Sequence, residues 1–221
     1  MPEAVKRRYD SPRRREQAAA TRREILGAAQ RLFEGQGYAA TTMAAIATEA
    51  GVALKTVYVV FETKSGLLRA LWHLALRGDE DDVPVGERAW YHQVLEAPDP
   101  ERTLRMTAHN SRLVKERAAA LMRVIRSAAE ADPDIAELWS RIQSDFYANQ
   151  RAIVEALHGR KALRRGLDVT GAADILWTLN HPDVWLLLVG ERGWTAEAFE
   201  QWFGDTLCAQ LLRRTPRPAT P

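Results

Sequence analysis

At 221 residues and 46% hydrophobic side chains, the chain is long enough for one large or two small domains around a packed core. Its net charge of +2 says little about partners, but residues 1 to 64 carry 11 basic against 7 acidic side chains, a basic front on a slightly acidic body that suits a reader of polyanions. The single cysteine, Cys208, excludes an internal disulfide and fits a reducing cytoplasm, and the most apolar stretch, residues 172 to 190, is interrupted by Asn180, His181, Pro182 and Asp183 and excludes a spanning helix.

Residues 1 to 20 are Arg-rich and polar, lack the apolar segment of a secretory signal, and are predicted to form a flexible basic arm. Thr21 to Glu24 reads T-R-R-E, a capping box that predicts a helix start, with Ile25, Ala29, Leu32 and Phe33 as the buried stripe and Gly35 and Gly37 as the stop. Thr42 is the expected N-cap for a second helix in which Ile46, Ala47 and Ala50 recur at helical spacing. Gly51 permits a tight turn, and Val57, Val60 and Phe61 continue an apolar face beyond it. Two short helices around such a turn form a helix-turn-helix pattern, whose second helix suits a DNA major groove.

Thr63 caps a further predicted helix from Lys64 to about Arg77, with Leu67, Leu68, Leu71 and Trp72 on its buried side. Gly78 and the acidic run Asp79 to Asp82 mark a solvated break, lacking the spaced ligands of a calcium loop. Asp99-Pro100 opens a helical region to Ala131, with a break expected near Lys115 to Ala118, and Asp132-Pro133 opens a helix that Gly159 closes. Its stripe is Ile135, Leu138, Trp139, Ile142, Phe146, Ile153 and Leu157. Thr170 is the expected cap of the next helix, Pro182 is expected to kink or interrupt it, and Thr195 is the cap of the last.

No strand-like alternation of useful length appears, so the predicted fold class is all-α. The last two helices hold Trp177, Trp185, Trp194 and Trp202, an aromatic surface that must be covered by the subunit's own core or by a second subunit in a four-helix bundle.

The segment TRREILGAAQRLFEGQGYAATTMAAIATEAGVALKTVYVVFETKSGLLRAL resembles the N-terminal domain of the tetracycline-repressor-like (TetR) family of bacterial transcriptional regulators. The matching marks are Ile25, Ala28, Ala29, Leu32 and Phe33, then Gly37-Tyr38, Thr41-Thr42, Ile46-Ala47, Ala50-Gly51-Val52, Thr56-Val57-Tyr58, Phe61, Lys64 and Leu67-Leu68. The resemblance implies a three-helix helix-turn-helix DNA-binding domain at residues 21–66 and a helical ligand-binding and dimerisation domain at 67–214, with a disordered tail at 215–221. It further implies a homodimer on a palindromic operator in double-stranded DNA, released by a small-molecule effector.

The residues expected at DNA are Thr42 and Lys64, each at a helix start where phosphate is bound, Tyr58, where the family meets the DNA backbone, and Lys55 and Thr56 in the first turns of the reading helix. Leu54 or Val59 meets a thymine methyl in this reading, and Arg15 and Arg22 supply charge. Ala44, Ala45, Ala53, Val59 and Val60 leave few polar readers, so specificity is expected to lean on apolar contacts, DNA shape and the basic arm. Met106, His109, Asn110, Met122, Trp139, Phe146 and Trp177 lie in the helices that line the family's cavity and are the candidate ligand contacts. The candidate dimer contacts are Trp185, Leu186, Val189, Phe199, Trp202, Phe203, Thr206 and Leu207.

Enzyme chemistry is not expected. His73, His92, His109, His158 and His181 make no metal-binding spacing, Cys208 has no Cys partner and no phosphate-binding glycine loop occurs, so neither metal nor cofactor is called for. The rival expectations are a DNA-binding dimer without a small-molecule ligand, whose C-terminal domain serves dimerisation or protein contacts, and an enzyme or carrier that binds no DNA.

Overall fold

The computed structural model describes residues 12–78 and 83–213. Residues 1–11 of the expected arm, the acidic run Asp79 to Asp82 and the expected tail at 215–221 lie outside the described residues. The elements are helices α1 (Pro12–Ala40), α2 (Met43–Glu49), α3 (Leu54–Phe61), α4 (Lys64–Arg77), α5 (Ala89–Leu95), α6 (Pro100–Ala128), α7 (Pro133–Gly159), α8 (Val169–Leu179), α9 (Pro182–Trp185) and α10 (Ala196–Leu211). A 3-10 turn, Val85–Glu87, precedes α5, and α9 runs on into a π-helical stretch, Leu186–Glu191. The fold is all-α, and the described residues contain no strand, only an isolated antiparallel bridge between Leu163 and Leu212.

Several helix ends differ from expectation. α1 begins at Pro12 rather than Thr21, so residues 12–20 are helical and not a flexible arm. Proline is tolerated in a first turn, and the following run of Arg, Glu, Gln and Ala consists of strong helix formers, so the Thr21 capping box falls mid-helix. The break comes at Gly37, whose φ of 82° and ψ of 167° suit glycine alone. α6 runs unbroken through Lys115 to Ala118, and α8 is capped by Asp168, whose Oδ1 accepts from the Gly171 N–H at 2.8 Å, rather than by Thr170. At Pro182 the expected interruption is found: His181-Pro182 ends α8 and opens a new helix, since Pro182 has no N–H to donate to α8 and sits well in a first turn.

The chain divides into two compact units, residues 1–71 and 72–221. In the first, Ile25, Ala29 and Phe33 of α1, Ile46 of α2, Val57 and Phe61 of α3, and Leu67 and Leu68 of α4 make one core. Arg31 on α1 and Glu49 on α2 add an ion pair at 2.9 Å. In the second, α6 is the central element, packed against α5, α7, α9 and α10, while α8 lies on α7 and α10. Leu104, Leu157, Leu176, Phe199, Phe203 and Leu207 are fully buried there. The C-terminal end of α10 is tied down by Arg164 N–H to Leu211 C=O at 2.8 Å and Arg213 N–H to Ala162 C=O at 3.0 Å.

Candidate functional site

The first unit presents a helix-turn-helix. The Thr42 hydroxyl accepts from the Ala45 N–H at 3.1 Å and caps α2, while its carbonyl accepts from the Ile46 N–H at 3.1 Å. Gly51, at φ +67°, makes the turn into α3, where Ala53 stands at the cap position with no side-chain bond to give. Val57 and Phe61 anchor α3 from beneath, so its other face is open: Leu54, Tyr58 and Val59 are 41, 49 and 74% exposed. Lys55 is exposed beside them and Thr56 is half-buried. An unusual density of exposed apolar surface on one short helix is the mark of a contact surface.

α3 is held in place by the turn that follows it. Glu62 adopts φ 56° and ψ −53°, and the Thr63 N–H closes a three-residue turn on the Phe61 carbonyl. Thr63 then caps α4, its Oγ1 accepting from the Gly66 N–H at 2.9 Å; a Cβ at Gly66 would stand 2.8 Å from the Phe61 carbonyl oxygen, so this position requires glycine. Lys64, expected at phosphate, donates instead to the carbonyls of Tyr38 at 2.9 Å and Thr41 at 3.0 Å, and its ammonium lies 4.1 Å from the centre of the Tyr38 ring. Its charge thereby fixes the segment that carries Thr42. Arg22 stacks its guanidinium 4.6 Å over the Phe61 ring, and Arg15 is an exposed residue of α1.

The second unit holds a cavity of about 610 Å³. Its walls are largely apolar, with Trp72 on α4, Trp90 and Tyr91 on α5, Met122 on α6, and Ile142 and Phe146 on α7. One corner is polar. Lys115 is almost fully buried and donates to Ser111 Oγ at 2.6 Å and to Asn180 Oδ1; Ser111 also donates to Asn180, whose Nδ2 donates to Gln150 Oε1 at 3.0 Å. Burial pulls the Lys115 ammonium down to about 7. Burial likewise pushes the Tyr91 hydroxyl up to about 12, and that hydroxyl donates to the Asn149 carbonyl at 2.7 Å.

Of the expected ligand contacts, Asn110, Met122 and Phe146 line this cavity. Trp139 and Trp177 line a separate, open recess of about 510 Å³ with Gln143 and His181. Met106, which lines neither, is half-buried against the core, and His109 has its Nδ1 3.1 Å from Glu200 on α10, where Arg112 also binds. Polar residues on an apolar helix thus serve an ion-pair seam between α6 and α10 as well as the cavity. Lys115, Ser111, Gln150 and Asn180 were not foreseen. The spacing Ala108, Ser111, Lys115, Ala118, Met122 places Lys115 on the buried stripe of an unbroken α6, a periodicity that the expected break near Lys115 to Ala118 cuts in two.

The expected dimer contacts divide similarly. Phe199, Phe203 and Leu207 are fully buried and Trp185 nearly so, and as core residues of their own subunit they have no surface left for another. Leu186, Val189, Trp202 and Thr206 are half-buried. Leu187, in the π-helical stretch, and Trp194, which meets Trp202 edge-on at 6.0 Å, are the large apolar residues exposed at this end of the chain, 52 and 36%.

Among the described residues no helix is long and apolar enough by itself to cross a membrane. The profile described as "Bacterial regulatory proteins, tetR family" matches residues 25–71, the region of α1 to α4 that carries the helix-turn-helix. Over nearly its whole length the chain is similar to the HTH-type transcriptional regulator TtgR of Pseudomonas putida, 30% identical over 221 residues that cover 92% of this chain and 97% of that one. Among solved structures its fold is similar to NalD, the secondary repressor of the MexAB-OprM multidrug efflux pump in Pseudomonas aeruginosa, with a TM-score of 0.68 at 21% identity, covering 89% of this chain and 98% of that one. It is also similar to the SmeT-triclosan complex, with a TM-score of 0.67 at 19% identity, covering 91% and 100%. A basic helix-turn-helix head, an all-α body and a TtgR-like sequence along almost the entire chain have one common reading: this protein belongs to the TetR family of bacterial transcriptional regulators, DNA-binding proteins that are not enzymes.

Proposed function

We propose that the chain acts in the cytoplasm as a homodimeric repressor that holds a palindromic operator through α3 and releases it when a small apolar or aromatic molecule occupies the cavity of the second unit. The observation that carries this reading is the cavity itself: about 610 Å³ falls within the scale of small-molecule sites, roughly 300–1,000 Å³, and it combines apolar walls with a few convergent polar groups. A body that served only dimerisation would be expected to pack its interior closely. The triclosan-bound SmeT is a neighbour of the same fold with a small aromatic molecule in its complex, which agrees with this reading.

At the DNA, Lys55 and Thr56 read base edges, Leu54 and Val59 meet thymine methyls, and Tyr58 and Thr42 meet phosphates. Arg15 and Arg22 add charge, and Lys64 acts through Thr42 rather than at the phosphate. A gel shift with the DNA upstream of its own gene tests the whole. A salt-sensitive band that metabolite extracts dissolve is expected; absence of any salt-sensitive band overturns the regulator's proposed operator, and a band that no small molecule affects favours the ligand-free dimer.

A further inference from the structure

We propose that the polar corner of the cavity is an anion subsite, and that the ligand is a hydrophobic weak acid whose carboxylate sits on the Lys115 ammonium beside the Ser111 hydroxyl. The proposal rests on the reading of the cavity as a ligand site and names the chemistry of what enters.

A buried ammonium is costly unless it is paired, and this one lacks an acid. Its two oxygen partners, Ser111 Oγ and Asn180 Oδ1, are neutral, and among the described residues no carboxylate lies within ion-pair distance of it. An ammonium has three N–H groups, so one is left without an oxygen acceptor, and the Phe199 and Phe203 rings, 5.1 and 5.2 Å from Nζ, only partly offset the charge. Retaining a lysine at the wall of an apolar cavity makes chemical sense when something negative completes the site. A carboxylate does so with charge-assisted hydrogen bonds, and the aromatic walls receive the rest of such a molecule.

The other charged groups around this corner are already engaged or stand away from it. On α4, Arg77 binds His73 at 3.4 Å; on α7, Arg141 binds Glu137 at 2.7 Å, and Asp145 is exposed. Glu87, ahead of α5, is exposed at the rim, and at α9 Asp183 binds Arg126 at 2.9 Å while His181, its pKa lowered chiefly by burial, caps its helix. On α6 and α10, Arg112 and Glu200 pair with each other, and the groups α10 turns to Lys115 are uncharged rings. Lys115 is therefore the group that must gain a proton when an anion binds above neutral pH.

The test compares acids with their own amides: 2-naphthoic acid against 2-naphthamide and decanoic acid against decanamide, titrated by calorimetry into the full-length protein and into its Lys115→Met variant. For the native protein near pH 7, the acids are expected to bind roughly tenfold to a hundredfold tighter than the amides, the span of a charge-assisted hydrogen bond. Their affinity should then fall by about tenfold per pH unit above that. In Lys115→Met the preference and its pH dependence should vanish, with folding verified by circular dichroism. Amides that bind as tightly as acids in the native protein, or an acid preference that survives Lys115→Met, would overturn the anion subsite while leaving the cavity a ligand site. If neither acids nor amides bind, and none frees operator DNA, the anion subsite falls together with the ligand reading beneath it.

Discussion

Lys115, in the middle of α6, donates a hydrogen bond to Asn180, the C-cap of α8, and so joins two helices through a buried polar contact at the edge of the cavity. The contact sets a pH dependence whose direction follows from burial. The folded protein releases the Lys115 proton near pH 7, whereas the unfolded chain keeps it to about 10.5. Between those values the unfolded state binds the extra proton, so stability rises with pH by up to about 1.4 kcal/mol per unit. Urea melts from about pH 7 to about pH 9 should show that rise in the native protein and a flatter profile in Lys115→Met. Equal profiles would place the amine in contact with solvent.

Lys64 separates two roles for one charge. Lys64→Met keeps the stem but loses the bonds to the Tyr38 and Thr41 carbonyls and the contact with the Tyr38 ring. It should destabilise the protein by about 2 kcal/mol and weaken operator binding, with the slope of log affinity against log salt unchanged. A slope reduced by about one would mean that Lys64 neutralises a phosphate after all.

Lys55 and Tyr58 should behave differently. Lys55→Ala is expected to weaken operator binding by about 1–3 kcal/mol and to lower the salt slope or relax the preference at one base pair. Tyr58→Phe removes a single hydroxyl from an exposed ring and should cost about 1 kcal/mol uniformly across sequences, without a change in folding stability. Fluorescence anisotropy over a range of salt distinguishes these outcomes.

Gly51 makes the turn between α2 and α3 at φ +67° with open space around its Cα. The obstacle to a side chain there is the backbone conformation and not a clash. Gly51→Ala should therefore lower stability by about 1–2 kcal/mol, read as a lower melting temperature, and weaken operator binding if the turn opens.

Phe199 and Leu187 test which residues are core and which are surface. Phe199→Ala empties a fully buried site and should cost about 3–5 kcal/mol at every protein concentration. Leu187→Glu, at a half-exposed position, should leave the subunit's own stability nearly unchanged and shift sedimentation from dimer toward monomer.

Much of the molecule was legible from residues alone, for reasons that are local. Helix starts at Thr42, Thr63, Asp99, Asp132 and Thr195 follow from short oxygen-bearing side chains that reach a free N–H, each now seen at about 2.8–3.1 Å. The turn at Gly51 and the new start at Pro182 follow from what glycine permits and proline forbids. The helix-turn-helix and the family are written in such signals.

What local pattern could not settle is which partner each side chain meets. His109 and Lys115 are both polar residues on α6, yet one makes a polar contact with Glu200 at the surface and the other is buried beside Asn180, 65 positions away in the chain. Lys64 looked like a free cation at a helix start until Tyr38, 26 residues earlier, came to lie beneath it. The terminal aromatics looked like a dimer face, but Phe199 and Phe203 turn inward and Leu187 turns out. Spacing along a helix establishes which residues share a face. Only packing against elements distant in sequence establishes whether that face meets a core, a cavity or water, because burial and electrostatics depend on everything within a few ångströms and not on neighbours in the chain.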